Sequence, residues 1–270
     1  MTKIIVITGS TDGIGKLAAI KLAKEGHQLF LHGRNGDKLE KVIAEIKELS
    51  ANENIKGFVA DFSDLAAVQQ MAQEINKELP KIDVLINNAG IFKSADSKNK
   101  EGLDIRLVVN YFAPYLLTNA LLPLLKKGTA PRLINVSSAA QASVSHEALS
   151  GKEDIDVQAA YAQSKLALTM WSFHLAKILP KIGVIALNPG SLLDTNMVRE
   201  AYGKFWSPAA KGGNIIYDLA ISEEYDGVTG KYFDNDKGDV KGHFGEAHSD
   251  AYNEAKIDQL IQTTETIIRS

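Results

Sequence analysis

Short apolar runs alternate with longer stretches of helical period almost from the first residue. "KIIVIT" (3–8) precedes a helical pattern from Ile14 to Lys24, "QLFLHG" (28–33) precedes "GDKLEKVIAEIKELS" (36–50), and "KGFVAD" (56–61) precedes a helix to Leu79. "IDVLINNAG" (82–90), "PRLINVSS" (131–138) and "GVIALNPG" (183–190) read as three more strands, with "GKYF" (230–233) as a seventh. A strand that is apolar along its whole length must be covered on both faces, and strands separated by helices are joined by crossovers. The pattern predicts an α/β fold, a doubly wound parallel sheet with helices on both faces and right-handed crossovers. No Pro/Gly/Ser-rich linker divides the 270 residues, so 1–236 reads as one domain. Residues 237–270 read as a polar tail and a weakly amphipathic helix near 250–268, packing on that domain.

Composition narrows the function classes. A formal net charge of −3 provides no basic field for nucleic acid or an anionic membrane. "MTKIIVITGS" is too short for a signal-peptide core and reads as a buried strand. No apolar run reaches the roughly 18 residues of a spanning helix. The absence of cysteine removes disulfides, thiolate nucleophiles and Cys-based metal sites, and fits a reducing cytosol. No cluster of His and carboxylates reads as a metal site. A cytoplasmic enzyme or binding protein is the expectation.

"TGSTDGIG" (8–15) follows the first strand and places Gly9, Gly13 and Gly15 in a strand-to-helix turn. Glycine there permits a tight bend and lets backbone N–H groups approach a pyrophosphate at the helix N-terminus. The spacing is G-x-x-x-G-x-G, not the G-x-G-x-x-G fingerprint. A cofactor with a free 2′-hydroxyl is met by an acid at the end of the second strand. Here that end reads "LHGRN", with Arg34 and no acid. A guanidinium suits a 2′-phosphate, so NADP(H) is expected over NAD(H). Asp12 adds an opposing negative charge nearby, while Ser10, Asn35 and Lys38 are candidate assistants.

"TGSTDGIG", "NNAG" (87–90), Asn110 in "VVNYF", "NVSS" (135–138), "YAQSK" (161–165) and "NPGSLLDT" (188–195) occur in one order. The ordered set resembles the short-chain dehydrogenase/reductase family, in its single-domain branch, over roughly residues 3 to 235. That resemblance implies a Rossmann-fold catalytic domain binding NADP(H). It implies cofactor contacts from Gly9, Ser10, Asp12, Gly13, Ile14 and Gly15 in the turn, Arg34, Asp61 and Phe62 after the third strand, and Asn88, Ala89 and Gly90 beside the adenine ribose. Pro189, Gly190 and Thr195 match the loop that grips the nicotinamide carboxamide. Asn110 matches the asparagine that holds a water for proton relay, Ser138 the substrate-binding serine, and Tyr161 and Lys165 the catalytic pair. Ser137 is the second choice for the serine, because a one-residue slip would swap their faces.

Positions i and i+4 share a helix face, so Tyr161 and Lys165 point into one cleft. Lowering a tyrosine from about pH 10 to 7 requires about 4 kcal/mol, part of which a nearby ammonium can supply. The implied reaction interconverts a carbonyl and an alcohol by hydride transfer, with Tyr161 as general acid/base. The alternative is a catalytically silent NAD(P) sensor of the same fold; such proteins lack the tyrosine or lysine present here.

The residues between Ser138 and Tyr161 are expected to form a lip over the substrate mouth. Their number and "GVTGKYF" resemble the retinol-dehydrogenase-like reductases. His146 reads as a lip or surface histidine, and Asp154 and Asp156 as solvated. A lid at about 191–215, with Met197, Tyr202, Phe205 and Trp206, suggests a hydrophobic wall and a hydrophobic small-molecule substrate. The apolar helix at Leu103–Leu125, with exposed-looking Tyr111, Tyr115 and Leu122, packs against another subunit in the family. A homodimer or homotetramer is the expectation.

Overall fold

The structure, a computed structural model, describes residues 1–238 and 240–269. One sheet runs β3-β2-β1-β4-β5-β6-β7-β8. Its parallel strands are β1 (Ile4–Ile7), β2 (Gln28–Gly33), β3 (Ile55–Val59), β4 (Val84–Asn87), β5 (Arg132–Val136), β6 (Gly183–Asn188) and β7 (Lys231–Asp234). All seven expected strands form, and several are shorter than the apolar runs. The far ends of "NVSS" and "NNAG" leave the ladder, and this places their polar residues at the strand tips. β8 (His243–Gly245), not anticipated, adds an antiparallel edge against β7.

Period-two alternation divides the strand side chains between two cores. Val6 of β1 belongs to one, which includes residues of α3 (Leu65–Glu78), α5 (Ala113–Leu125) and α7 (Val157–Ile178). Ile5 and Ile7 belong to the other, with α1 (Gly13–Lys24), α2 (Gly36–Ser50) and α9 (Ala209–Ile221). Short polar side chains start these helices by accepting orphan backbone N–H groups. Asp12 caps α1, Asn35 caps α2 and Asp64 caps α3. Asp156, expected to be merely solvated, caps α7 by accepting from Gln158 and Ala159 N–H at 2.9 Å each.

The helix Ile105–Leu125 comprises α4 (Ile105–Leu107), a π-helical turn (Val108–Phe112) and α5. Its 21 residues have mean hydropathy 1.3, long and apolar enough to cross a membrane by length and composition alone. Arg106, Asn110, Thr118 and Asn119 interrupt it, so its length does not show as an unbroken apolar run. The helix lies inside the protein, with 72% of the apolar window buried. Tyr111 and Tyr115 are buried too, contrary to expectation. α10 (Glu254–Arg269) covers them, and Tyr111 Oη meets Thr264 Oγ1 at 2.8 Å. The two tyrosines of that expected face are thus covered by α10, whereas Leu122 stays half-buried.

Candidate active site

The strand order reverses between β1 and β4, and a parallel sheet opens a crevice beyond its strand tips at such a point. A cleft of about 800 Å³ lies there. Gly9, Asp12, Gly13, Ile14, Arg34, Asp61, Phe62, Asn88, Ala89 and Gly90 line one part. Ser138, Tyr161, Lys165, Pro189, Gly190 and Thr195 line the other.

The β1–α1 turn is shaped by close backbone approach. Gly9 has φ +63°, and a Cβ there would lie 2.6 Å from Ala89 Cα. Asn88 braces the turn, its side chain donating to Thr8 O (3.0 Å) and Gly9 O (2.8 Å). Gly15 and Ser10 do not line the cleft. Gly15 abuts the Asn88 side chain. Ser10 is fully buried, its hydroxyl donating to Ile7 O and accepting His32 N–H, both at 3.1 Å. The Ser10 hydroxyl is therefore committed to a structural role, and Gly15 makes room for Asn88.

His32, which belongs to none of the motifs, lies beneath this turn. Its Nδ1 accepts Gly9 N–H at 3.1 Å, and its Nε2 lies 2.9 Å from Ala60 O. An acceptor at Nδ1 places the proton on Nε2, which donates to Ala60. Burial pushes its pKa down to about 4, so the ring is neutral near pH 7. It stacks on Phe62 with centroids 4.1 Å apart, forming a flat wall beside Asp61. The only sequence signal was a histidine on the buried tip of a strand, two residues before Arg34.

Arg34 is exposed on the cleft wall and has no ion-pair partner among the described residues. Asp12, whose charge opposed an NADP reading, is engaged elsewhere: it accepts from Lys38 Nζ (3.0 Å) and Asn196 Nδ2 (2.7 Å). These two side chains and the Gly13 N–H outweigh partial burial and hold its pKa below the usual carboxylate value. A glycine turn at a helix N-terminus beside an unpaired guanidinium fits a phosphorylated dinucleotide.

At the other end, β5 and α7 present the reacting groups. Ser137 is buried, its hydroxyl bonding Lys165 O (2.9 Å) and Thr169 Oγ1 (2.7 Å). Ser138 is half-buried, and its hydroxyl approaches Tyr161. Lys165 Nζ lies 5.6 Å from the Tyr161 ring centroid and donates to Val136 O at 2.8 Å. Burial raises the Tyr161 pKa, Ser138 partly opposes this, and Tyr202 adds to it. Burial also lowers Lys165 to about 8. The expected depression of the tyrosine is thus not produced by the protein groups alone, because desolvation outweighs the bond from Ser138.

Asn110 is buried behind the cleft and does not line it. Its Oδ1 accepts Ile91 N–H (2.8 Å), and its Nδ2 donates to Ile91 O (3.0 Å) and Ser164 Oγ (3.0 Å). The amide braces the chain after β4 against Ser164 of α7, and its Oδ1 keeps one lone pair. The π-turn carrying it is of a kind frequent at functional sites.

The mouth also differs from expectation. No residue between 139 and 160 lines the cleft, whereas Ile91, Phe92, Lys93, Ser94, Ala95 and Asp96 do. His146 is turned away, Nδ1 meeting Thr263 Oγ1 at 3.0 Å, and Asp154 pairs with Lys98 at 2.7 Å. Phe92 packs edge-on against Tyr161 (5.0 Å between centroids) and against Tyr202 (5.4 Å). α8 (Asn196–Tyr202) contributes Met197 and Val198 to the cleft and has no buried residue. Phe205 and Trp206 are absent from the wall and expose 48% and 71% of their surface. Phe92 thus replaces them as the aromatic wall. Its place directly after "NNAGI" was the available signal.

Fold and cleft together define a nicotinamide-dependent oxidoreductase, and the chain belongs to the short chain dehydrogenase family, whose profile matches residues 3–204. It acts on CH–OH groups. It is similar to mouse retinol dehydrogenase 13, with 33% identity covering 86% of this chain and 75% of the relative. Human polyprenol dehydrogenase is 30% identical, with 87% and 77% covered. A short chain dehydrogenase of Shigella flexneri 2a, solved in complex with NADP, superposes with TM-score 0.70 at 29% identity, covering 86% of this chain and 96% of the other. One from Escherichia coli CFT073, complexed with NADPH, has TM-score 0.71 at 29% identity, with 86% and 95% covered.

Proposed function

We propose that this protein is an NADP(H)-preferring reductase and dehydrogenase of apolar carbonyls and alcohols. The observation that carries the reading is one cleft with unpaired Arg34 beside the glycine turn at one end and Ser138, Tyr161 and Lys165 at the other. The bound nicotinamide would supply or accept the hydride. Ser138 donates a hydrogen bond to the substrate oxygen, and Tyr161 gives that oxygen its proton or removes it. Lys165 holds positive charge beside the phenol and keeps it oriented. The apolar surfaces of Phe92, Met197 and Val198 favour an apolar substrate, and relatives named for retinol and polyprenol point the same way. The lack of cysteine supports a cytoplasmic setting.

The test is a fluorescence titration with NADPH and NADH, followed by turnover on all-trans-retinal, a short polyprenal, benzaldehyde and a steroid ketone. NADPH is expected to bind tighter, and Arg34→Ala to weaken NADPH about 10- to 100-fold while leaving NADH nearly unchanged. Tyr161→Phe is expected to abolish turnover and retain cofactor binding. Equal rates with NADH would sink the Arg34 argument, and a fully active Tyr161→Phe would remove the phenol from the mechanism.

A further inference from the structure

Among the described residues, none beyond Glu200 lines the cleft. The C-terminal segment nonetheless reaches Ser138 through one side chain. Gln141 Nε2 donates to the Ser138 carbonyl at 2.9 Å, and Tyr232 Oη donates to the same carbonyl at 3.0 Å. Gln141 Oε1 accepts the backbone N–H of His248 at 3.1 Å. His248 in turn caps the 3-10 turn Ser249–Tyr252, its Nδ1 accepting Asp250 N–H at 3.2 Å. Asp250 bonds Ser143, and Lys256 at the start of α10 holds Asp250 at 2.7 Å. The loop after β5 is therefore gripped from outside the cleft by the tail.

We propose that Gln141 is a positioning residue that ties the C-terminal segment to Ser138 and so sets the direction of the Ser138 hydroxyl. The inference rests on the reading of Ser138 as the group that orients the substrate oxygen. The amide serves both directions at this place: its Nε2 donor faces the Ser138 carbonyl and its Oε1 acceptor faces the His248 N–H. Two donors on one carbonyl restrain the 138–139 peptide plane and with it ψ of Ser138, the residue whose hydroxyl also accepts the Ala140 N–H at 3.1 Å. A catalytic hydrogen bond is sensitive to displacements well below the size of an atom.

The experiment compares Gln141→Met, which keeps the volume and removes both bonds, in the wild-type and Ser138→Ala backgrounds. His248→Pro is the second variant: His248 has φ −54°, which proline adopts, and its N–H is lost. Turnover is measured with NADPH and all-trans-retinal, or with whichever carbonyl of the panel turns over fastest. Gln141→Met is expected to lower kcat about tenfold or more, with NADPH binding unchanged and no further loss in the Ser138→Ala background. His248→Pro is expected to lower kcat in the same direction by a smaller factor. An unchanged kcat in Gln141→Met, or an equal loss in both backgrounds, overturns the positioning role alone. A fully active Ser138→Ala overturns the reading of Ser138 and the positioning role with it.

Discussion

Burial acts on both members of the Tyr161–Lys165 pair and pushes each toward its neutral form. The phenol rises, and the lysine falls to about 8. An ammonium is needed beside the phenol, so the lysine sets the upper edge of the working range. Below about pH 8 Lys165 holds its proton, and above it the charge is lost. The pH profile of kcat/KM for NADPH, which reports the free enzyme, is expected to fall above about pH 8. Lys165→Arg should move that edge upward, since a guanidinium does not titrate there. A profile flat through pH 9 would contradict the assignment. The spacing of this pair was legible because i and i+4 lie on one face whatever surrounds the helix. The sign of the tyrosine shift was not, because desolvation depends on Phe92 and Tyr202, which come from other parts of the chain.

The β1–α1 turn shows what an element's geometry demands of single positions. Gly9 is left-handed and faces Ala89 backbone at a distance no Cβ tolerates. Gly9→Ala is expected to destabilise the protein by about 1–3 kcal/mol and to weaken NADPH binding, as read by thermal unfolding with and without NADPH. A variant with unchanged melting temperature and affinity would refute the close-approach argument. The glycines were readable as a motif because strand, turn and helix are contiguous. Ser10 and His32 were not readable in their roles, since each is defined by a bond between the β1–α1 turn and β2, across more than twenty positions. The same holds for α8: a hydrophobic lid was foreseeable from composition, but which aromatics face the cleft depends on the helix's packing.

Across the whole molecule, the C-terminal segment closes the face of Ile105–Leu125 and α7 that would otherwise stay apolar and open. Thr264 is fully buried and satisfies the phenol of Tyr111, whose pKa burial raises. Thr264→Val leaves that hydroxyl without a partner and is expected to cost about 1–3 kcal/mol in urea unfolding. No change would mean that Tyr111 Oη finds another acceptor. The order of apolar runs and the local motifs determined the parallel sheet, the glycine turn and the shared face of Tyr161 and Lys165, since each follows from short-range periodicity and sterics, whereas Ser138 was legible only through the family resemblance. Tertiary packing decided the rest: Asp12 turned toward Lys38 and Asn196, Asn110 bracing Ile91 and Ser164, Phe92 as the aromatic wall, and the tail placed behind Ser138. Those outcomes depend on contacts between distant segments, and local sequence carries no distance between them.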